Sequence, residues 1–304
     1  MRFDGRIRRW QALVGCLLLG SQTLAAQSVQ PKLYISADME GLAGVVTGEQ
    51  LGPGGFEYER FREFMTQEVL AAIRGARAAG VGEIVISDSH GNGQNLLLEL
   101  LPDDVTVVRS WPRPLMMMEG LDSTFMGAVL IGYHAGTTNP DGVRAHTLSS
   151  ANLADVRVNG RSVPEAGLSA AIAGEFGVPV LVVTGDDAAV AEAQTLLGRV
   201  ETVEVKWNYG FHSARTLTPA AAARLIEERV AAAVRRRAEF RPWRLERPVT
   251  LDVRFKSYRP SQLLAYLPQV ERTDAHSIRF IGRDMLEVSR FLEFLLGYEV
   301  GLQP

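Results

Sequence analysis

The sequence predicts an α/β fold: a mostly parallel central sheet flanked by helices, with a smaller C-terminal α+β part. Three observations carry that reading. Short apolar runs rich in Val and Ile recur along the chain, and helical patterns separate several of them. Near residue 210 the texture changes to an Ala-rich helix, a Pro/Arg/Trp connector, a strand and a last helix. Strands that alternate with helices pair in parallel, and a parallel sheet is covered on both faces.

The elements follow in order. Strands are expected at 32–37 (KLYISA), 83–88 (EIVISD), 105–110, 128–133, 178–185, 202–207 and 249–255. In 58–79, Phe61, Phe64, Met65, Leu70, Ala72, Ile73 and Ala76 largely share one helical face. PEAGLSAAIAGEFG opens with Pro164 at an expected first helical position and closes at Gly177. DDAAVAEAQTLLG follows its strand directly. VRVNGRSV, with Asn159-Gly160 at its centre, reads as a hairpin inserted in the α/β scheme. Thr218-Pro219 starts the Ala-rich helix that ends in Arg235, Arg236 and Arg237. Cations there complement the helix dipole, a plainer reading than a patch for an anionic partner. DMLEVSRFLEFLLG forms the last helix.

The N-terminus stands apart. Arg2, Arg6, Arg8 and Arg9 precede an apolar stretch that ends in small residues, the layout of a secretory signal cut near Ala26. The stretch is too short for a comfortable membrane span, so none is expected once the signal is gone. The expected organisation is a signal at 1–26, a metal-binding α/β catalytic domain at 27–210 and an α+β part at 211–304. The product would be exported, periplasmic or secreted. Cys16 is the chain's single cysteine and fits a lipid-attachment box loosely, so the mature chain has no disulfide. The whole chain carries a formal charge of −3, and losing four Arg and one Asp makes it more acidic. That balance argues against nucleic acid as a partner.

In open α/β sheets, ligands bind beyond the carboxyl ends of the strands. The residues delivered there are Asp38 and Glu40, then Asp88, Ser89 and His90, then His134, with His146 in the loop that follows. Glu165 heads a helix, and Asp186 and Asp187 end another strand. Each histidine alone has a plain reading as a hydrogen-bonded core or loop residue. Together, Asp38, Glu40, His90, His134 and Glu165 form a mixed nitrogen and oxygen set that suits zinc or another first-row divalent ion. Five such groups exceed the need of one tetrahedral ion with an open position and suit two ions sharing a carboxylate. The Asp38–Glu40 pair is tolerable if metal charge offsets its repulsion. A competing assignment takes DMEG and GDD as acidic motifs of a haloacid-dehalogenase-type phosphohydrolase. It leaves the histidines unexplained, and such enzymes normally carry Asp where Glu40 stands. No Walker-type phosphate loop or G-x-S-x-G elbow is present.

At these residues the chain resembles the zinc D-aminopeptidase family. KLYISADMEGLAGV, VISDSHGNGQNL, MMMEGLD, IGYHA, AHT and VPVLVVTGDD carry the likeness, which runs from about residue 32 to about 296. The resemblance implies two zinc ions held by Asp38, Glu40, His90, His134 and Glu165, with His146 as the catalytic histidine, base or nucleophile. It implies removal of an N-terminal residue, often D-configured, from short peptides, and a homo-oligomer. Exposure to cell-wall D-Ala peptides would suit an exported member. A periplasmic peptide binder that has kept the fold without catalysis is the alternative outside enzymes.

Other residues have a structural and a functional reading. Asp88 and Ser89 orient His90 or form a strand-end turn. Asp186 and Asp187 stabilise a helix N-terminus in preference to binding a substrate ammonium. Met116, Met117 and Met118 pack in the core in preference to lining a pocket. Gly41 and Gly44 permit tight turns. Phe291, Leu292, Phe294, Leu295 and Leu296 complete the core or meet a second subunit. His212 and His276 sit in no motif.

Overall fold

A computed structural model describes Met1 and residues 30–298. The expected signal segment and Cys16 lie outside the described residues. The elements are β1 (Lys32–Ala37), α1 (Tyr58–Ala78), β2 (Glu83–Asp88), β3 (Val105–Val108), β4 (Phe125–Tyr133), β5 (Leu153–Val158) and β6 (Arg161–Ser162). They continue with α2 (Glu165–Glu175), β7 (Val180–Asp186), α3 (Asp187–Leu197), β8 (Glu201–Gly210), β9 (Ser213–Thr216) and α4 (Pro219–Arg235). The last are β10 (Val249–Phe255), α5 (Arg259–Leu264), β11 (Val270–Arg272), β12 (Ser277–Gly282) and α6 (Met285–Gly297). No helix among the described residues is long and apolar enough to cross a membrane.

The larger sheet has the order β3-β2-β1-β4-β7-β8-β9. All its pairs are parallel except β8 with β9. From β1 the chain runs outward through β2 to β3, then returns to place β4 on the other side of β1. Strand order therefore reverses between β1 and β4, and the loops leaving their carboxyl ends diverge to open a crevice. Along β1, Leu33, Ile35 and Ala37 face a core made with α1 and α4, while Tyr34 faces the opposite core. This alternation is the strand period of two, with both faces buried.

A second sheet, β11-β12-β10-β5-β6, is antiparallel. Between the two sheets lie α2 and α6. Helix α2 is buried along nearly its whole length, as a helix without a polar face must be. The 156–163 hairpin turns where expected, with Asn159 and Gly160 at φ 49° and 79°, the left-handed pair of a type I′ turn. Its sheet is not the parallel one, because β5 pairs with β10 and joins the C-terminal strands. In the other direction, α4 comes after residue 210 yet packs on α1 against the larger sheet. Neither pairing is visible locally, since each partner lies far along the chain.

Details at the helix ends differ slightly from expectation. Pro164 sits at the N-cap of α2, with φ −74° and ψ 171°, so Glu165 is the first helical residue. The shift puts a carboxylate where the free amides of the helix are positive. Thr218 caps α4 through the N–H of Ala221. Arg236 reaches the Ala232 carbonyl and Glu201, and Arg235 reaches the Ala78 carbonyl, so these two cations serve the helix end and its neighbours. On α6, Phe291, Leu292 and Leu295 complete the core, whereas Phe294 is exposed.

Candidate metal centre

Asp38 and Glu40 leave β1 on a turn pressed against β4. The N–H of Asp38 donates to the Ile131 carbonyl at 2.8 Å and that of Gly41 to the Gly132 carbonyl at 2.7 Å. A Cβ on Gly41 would lie 1.9 Å from the Tyr133 carbonyl oxygen, so only glycine permits this approach. Beneath the turn, two buried ionisable side chains tie its backbone. Lys206 on β8 donates to the carbonyls of Glu40 and of Val45, the latter at 2.7 Å, and Glu68 on α1 accepts from the Ala43 N–H at 3.0 Å. Burial pulls Lys206 down to about 8 and pushes Glu68 up to about 7.

His90 is set by the loop after β2. Asp88 accepts from the N–H groups of Asn95 and Leu96 at 2.6 and 2.8 Å and from the Asn95 amide at 2.7 Å. That amide also donates to the His90 carbonyl at 2.7 Å. Asp88 thus shapes the turn that carries His90, and Ser89 bonds to Ser36 and Ser87 below it. His134 follows β4 directly. His146 lies between two residues in the left-handed region, Arg144 at φ 57° and Leu148 at φ 65°. Such backbone costs about 1–3 kcal/mol per residue and persists only where surroundings enforce it. Here the Arg144 N–H bonds the Phe211 carbonyl at 3.0 Å, and the Leu148 N–H bonds Glu165 Oε1 at 2.7 Å.

The six side chains meet at the crevice between β1 and β4. His90 Nδ1 lies 2.8 Å from Glu40 Oε2 and 3.2 Å from Asp38 Oδ1. His134 Nε2 lies 3.4 Å from both Asp38 Oδ2 and Glu165 Oε1. His146 Nε2 lies 3.9 Å from Glu40 Oε1 and 3.7 Å from Glu165 Oε1. The His134 and His146 rings stack at 4.0 Å. Ligand atoms fall into two groups, Asp38–Glu40–His90 and His134–His146–Glu165, each within 4.8 Å.

Each imidazole has its other nitrogen against a backbone carbonyl: His90 Nε2 on Leu51 at 2.7 Å, His134 Nδ1 on Ala135 at 3.0 Å and His146 Nδ1 on Arg144 at 2.8 Å. A carbonyl only accepts, so those nitrogens carry hydrogen; the opposite nitrogen faces the carboxylates, as a donor where the ring is protonated, as in the His90 Nδ1–Asp38 Oδ1 contact at 3.2 Å, and as a bare lone pair where the ring is neutral. Lone pairs facing carboxylate oxygens repel unless a cation lies between them. Asp38 Oδ2, Glu40 Oε2 and His134 Nε2 are buried without a hydrogen-bond partner, and the short His90–Glu40 approach lacks hydrogen-bond geometry. Buried polar atoms are otherwise nearly always satisfied. The donor set and these orphaned atoms fit zinc.

The protonation energetics agree. Burial alone would pull His90 and His134 down, but the charges of Glu40 and Glu165 outweigh it and hold both well above the imidazole range. Burial would raise Glu40 and Glu165, and the same histidines hold them low. Asp38 is pushed up by burial and by its neighbour Glu40. Protons thus stand in where divalent charge fits.

A cleft of about 650 Å³ opens over these groups, with Trp111, Met116, Met117 and Leu148 in its walls. That size and partly apolar lining suit a small ligand. Met116 and Met117 therefore both pack in the core and face the cleft. A family model described as D-aminopeptidase, a peptidase family, matches residues 32–294. The chain belongs to the D-aminopeptidase family. A curated D-aminopeptidase from Bacillus subtilis (strain 168) is 37% identical over 258 residues, covering 84% of this chain and 93% of the relative. A solved structure of the Zn-dependent D-aminopeptidase DppA from Bacillus subtilis, described as a self-compartmentalizing protease, superposes with a TM-score of 0.83. It is 34% identical, and the match covers 90% of this chain and 98% of that one.

Family membership sets aside the phosphohydrolase reading, and the structure gives its acidic pair other work. Asp186 caps α3 through the Ala189 N–H at 2.7 Å and holds the Val143 N–H at 2.6 Å. Asp187 accepts from the N–H groups of Ala188 and Asn208, both at 3.1 Å. Lys206 and Glu68 belong to no motif in the sequence. A signal was present: Lys206 interrupts an apolar strand, and Glu68 falls on the helical face of Phe61, Met65 and Ala72.

Proposed function

We propose that this protein is an exported zinc aminopeptidase that removes the N-terminal residue of short peptides, D-configured ones included, with two ions per chain. The observation that carries the reading is the set of three imidazoles, each fixed by a backbone carbonyl and aimed at buried carboxylates in one cleft. Asp38, Glu40 and His90 would hold one ion, and His134 and Glu165 the other, with a carboxylate shared between them. Bound zinc would act as a Lewis acid on the scissile carbonyl and bring the pKa of water toward neutrality. His146 lies farther from the carboxylates than the other two histidines and keeps its Nε2 lone pair for proton transfer as a general base. Covalent attack by the same nitrogen is the second route, and mass spectrometry of an acylated His146 during turnover separates the two.

Export is supported by the basic, apolar and small-residue order of residues 1–26. Cell-wall D-Ala peptides are the substrates such a location would offer. A homo-oligomer is supported by the self-compartmentalizing description of the DppA structure and by exposed Phe294 on α6. Three measurements test the reading. Metal analysis should return two zinc per chain, and one would force a smaller ligand set. Turnover of D- and L-amino-acid amides should be lost on chelation and return with zinc; tight peptide binding without turnover would favour the binder. Intact mass of protein from the extracytoplasmic fraction should start near residue 27, and a full-length cytoplasmic chain would refute export.

A further inference from the structure

Glu293 is the carboxylate of the cleft that the metal site does not use. It comes from α6 and lines the same cleft as Asp38, Glu40 and Glu165, but belongs to neither group of ligand atoms. Its side chain is half-buried, and burial pushes its carboxyl up, with the Arg113 N–H and guanidinium pulling the other way. That guanidinium is engaged elsewhere. It donates to Ser87 Oγ and to the Asp88 carbonyl, each at 2.8 Å, and lies over the Trp111 ring at 4.1 Å. Among the described residues, no Lys or Arg lines the cleft.

The charge pattern is therefore one-sided. No described Lys or Arg of the cleft walls stands against Glu293, and a partly desolvated anion gains from an arriving cation. We propose that Glu293 anchors an ammonium or guanidinium group of the peptide substrate. The cleft thereby favours peptides that present a positive group and disfavours acidic side chains. This rests on the aminopeptidase reading above and adds a substrate-anchoring residue to it. Two sources supply the positive group, the α-ammonium of every substrate or a basic side chain, and they leave different traces.

The experiment compares zinc-loaded wild type with Glu293→Gln and Glu293→Lys on the amides of D-lysine, D-norleucine and D-aspartate. Gln keeps an acceptor for the Arg113 N–H and removes only the charge; zinc content and kcat on each amide report whether the centre is intact. For a side-chain anchor, Glu293→Gln raises KM roughly fivefold for the lysine amide alone. For an α-ammonium anchor, it raises KM for all three by a similar factor with kcat kept. In both cases Glu293→Asp restores affinity, which a packing role would not; Glu293→Lys improves the aspartate amide relative to the lysine amide for a side-chain anchor and weakens all three alike for an α-ammonium anchor. KM values within twofold of wild type for all three amides in both Gln and Lys variants would overturn the proposal. If wild type hydrolyses none of the amides, the aminopeptidase reading fails by itself. Calorimetric binding of the same three amides then decides the role of Glu293 by the same ratios.

Discussion

His146→Ala separates a base from a ligand. His90 Nδ1 approaches carboxylate oxygens at 2.8 and 3.2 Å and His134 Nε2 at 3.4 Å, but His146 Nε2 stands off at 3.7 and 3.9 Å. Its ring is held by the Arg144 carbonyl and by stacking on His134, so the loop positions it without help from an ion. General-base catalysis contributes about 10²–10⁴-fold, or about 3–5 kcal/mol of barrier. The expected result is a fall of that size in kcat and in kcat/KM together, because the interaction forms only in the transition state. Zinc per chain, measured by atomic absorption after dialysis, should stay at the wild-type value. The control is His134→Ala, which removes an orphaned buried donor and should lose about half the metal. Metal loss in His146→Ala comparable to that control would make His146 a ligand and refute the argument, as would turnover within tenfold of wild type.

Other variants probe the supports of the centre. Lys206→Met keeps the stem's packing but strands the Glu40 and Val45 carbonyls, so stability should fall by about 2–4 kcal/mol in denaturant titrations; an unchanged midpoint contradicts this account. Glu68 has its carboxyl raised from 4.5 to about 7, so its contribution is fully present below about pH 4.5 and is lost as pH rises through about 7. Wild type should therefore lose up to about 3 kcal/mol relative to Glu68→Gln across that window, and parallel stability curves for the two proteins would show that Glu68 does not titrate so. Gly41→Ala forces a Cβ into the Tyr133 carbonyl and must move the Asp38–Glu40 turn. Weaker zinc retention is expected in a chelator competition, and wild-type retention would mean the turn relaxes freely.

Much of the layout was legible because local pattern is strong in parallel sheets. The strand at 32–37 and that at 83–88 match β1 and β2 residue for residue, and the helix expected at 58–79 is α1 at Tyr58–Ala78. Apolar strands end sharply where polar residues begin, so Asp38, His90 and His134 could be placed at strand ends by reading alone. Strand β12, SIRFIG, is hard to read because its apolar signal is thin: Ile278 and Phe280 are buried, but Ile281 is exposed and polar residues fill the other alternate positions. The pairing of β5 with β10 was likewise out of reach, since turn chemistry fixes a hairpin but not the sheet it joins.

The residues by themselves set which groups exist and which segments carry them: acids and imidazoles at strand ends, a glycine where backbones touch, a left-handed Asn-Gly turn. Tertiary structure alone decided that β1 and β4 are neighbours, and hence that residues more than a hundred positions apart in the chain share one cavity. It alone decided which nitrogen of each imidazole faces the carboxylates, through carbonyls of Leu51, Ala135 and Arg144. It also decided that Lys206, Glu68 and Glu293 belong to the site's surroundings. The reason is range: propensity and periodicity act over a few residues, whereas desolvation and Coulomb forces act through whatever the fold brings near.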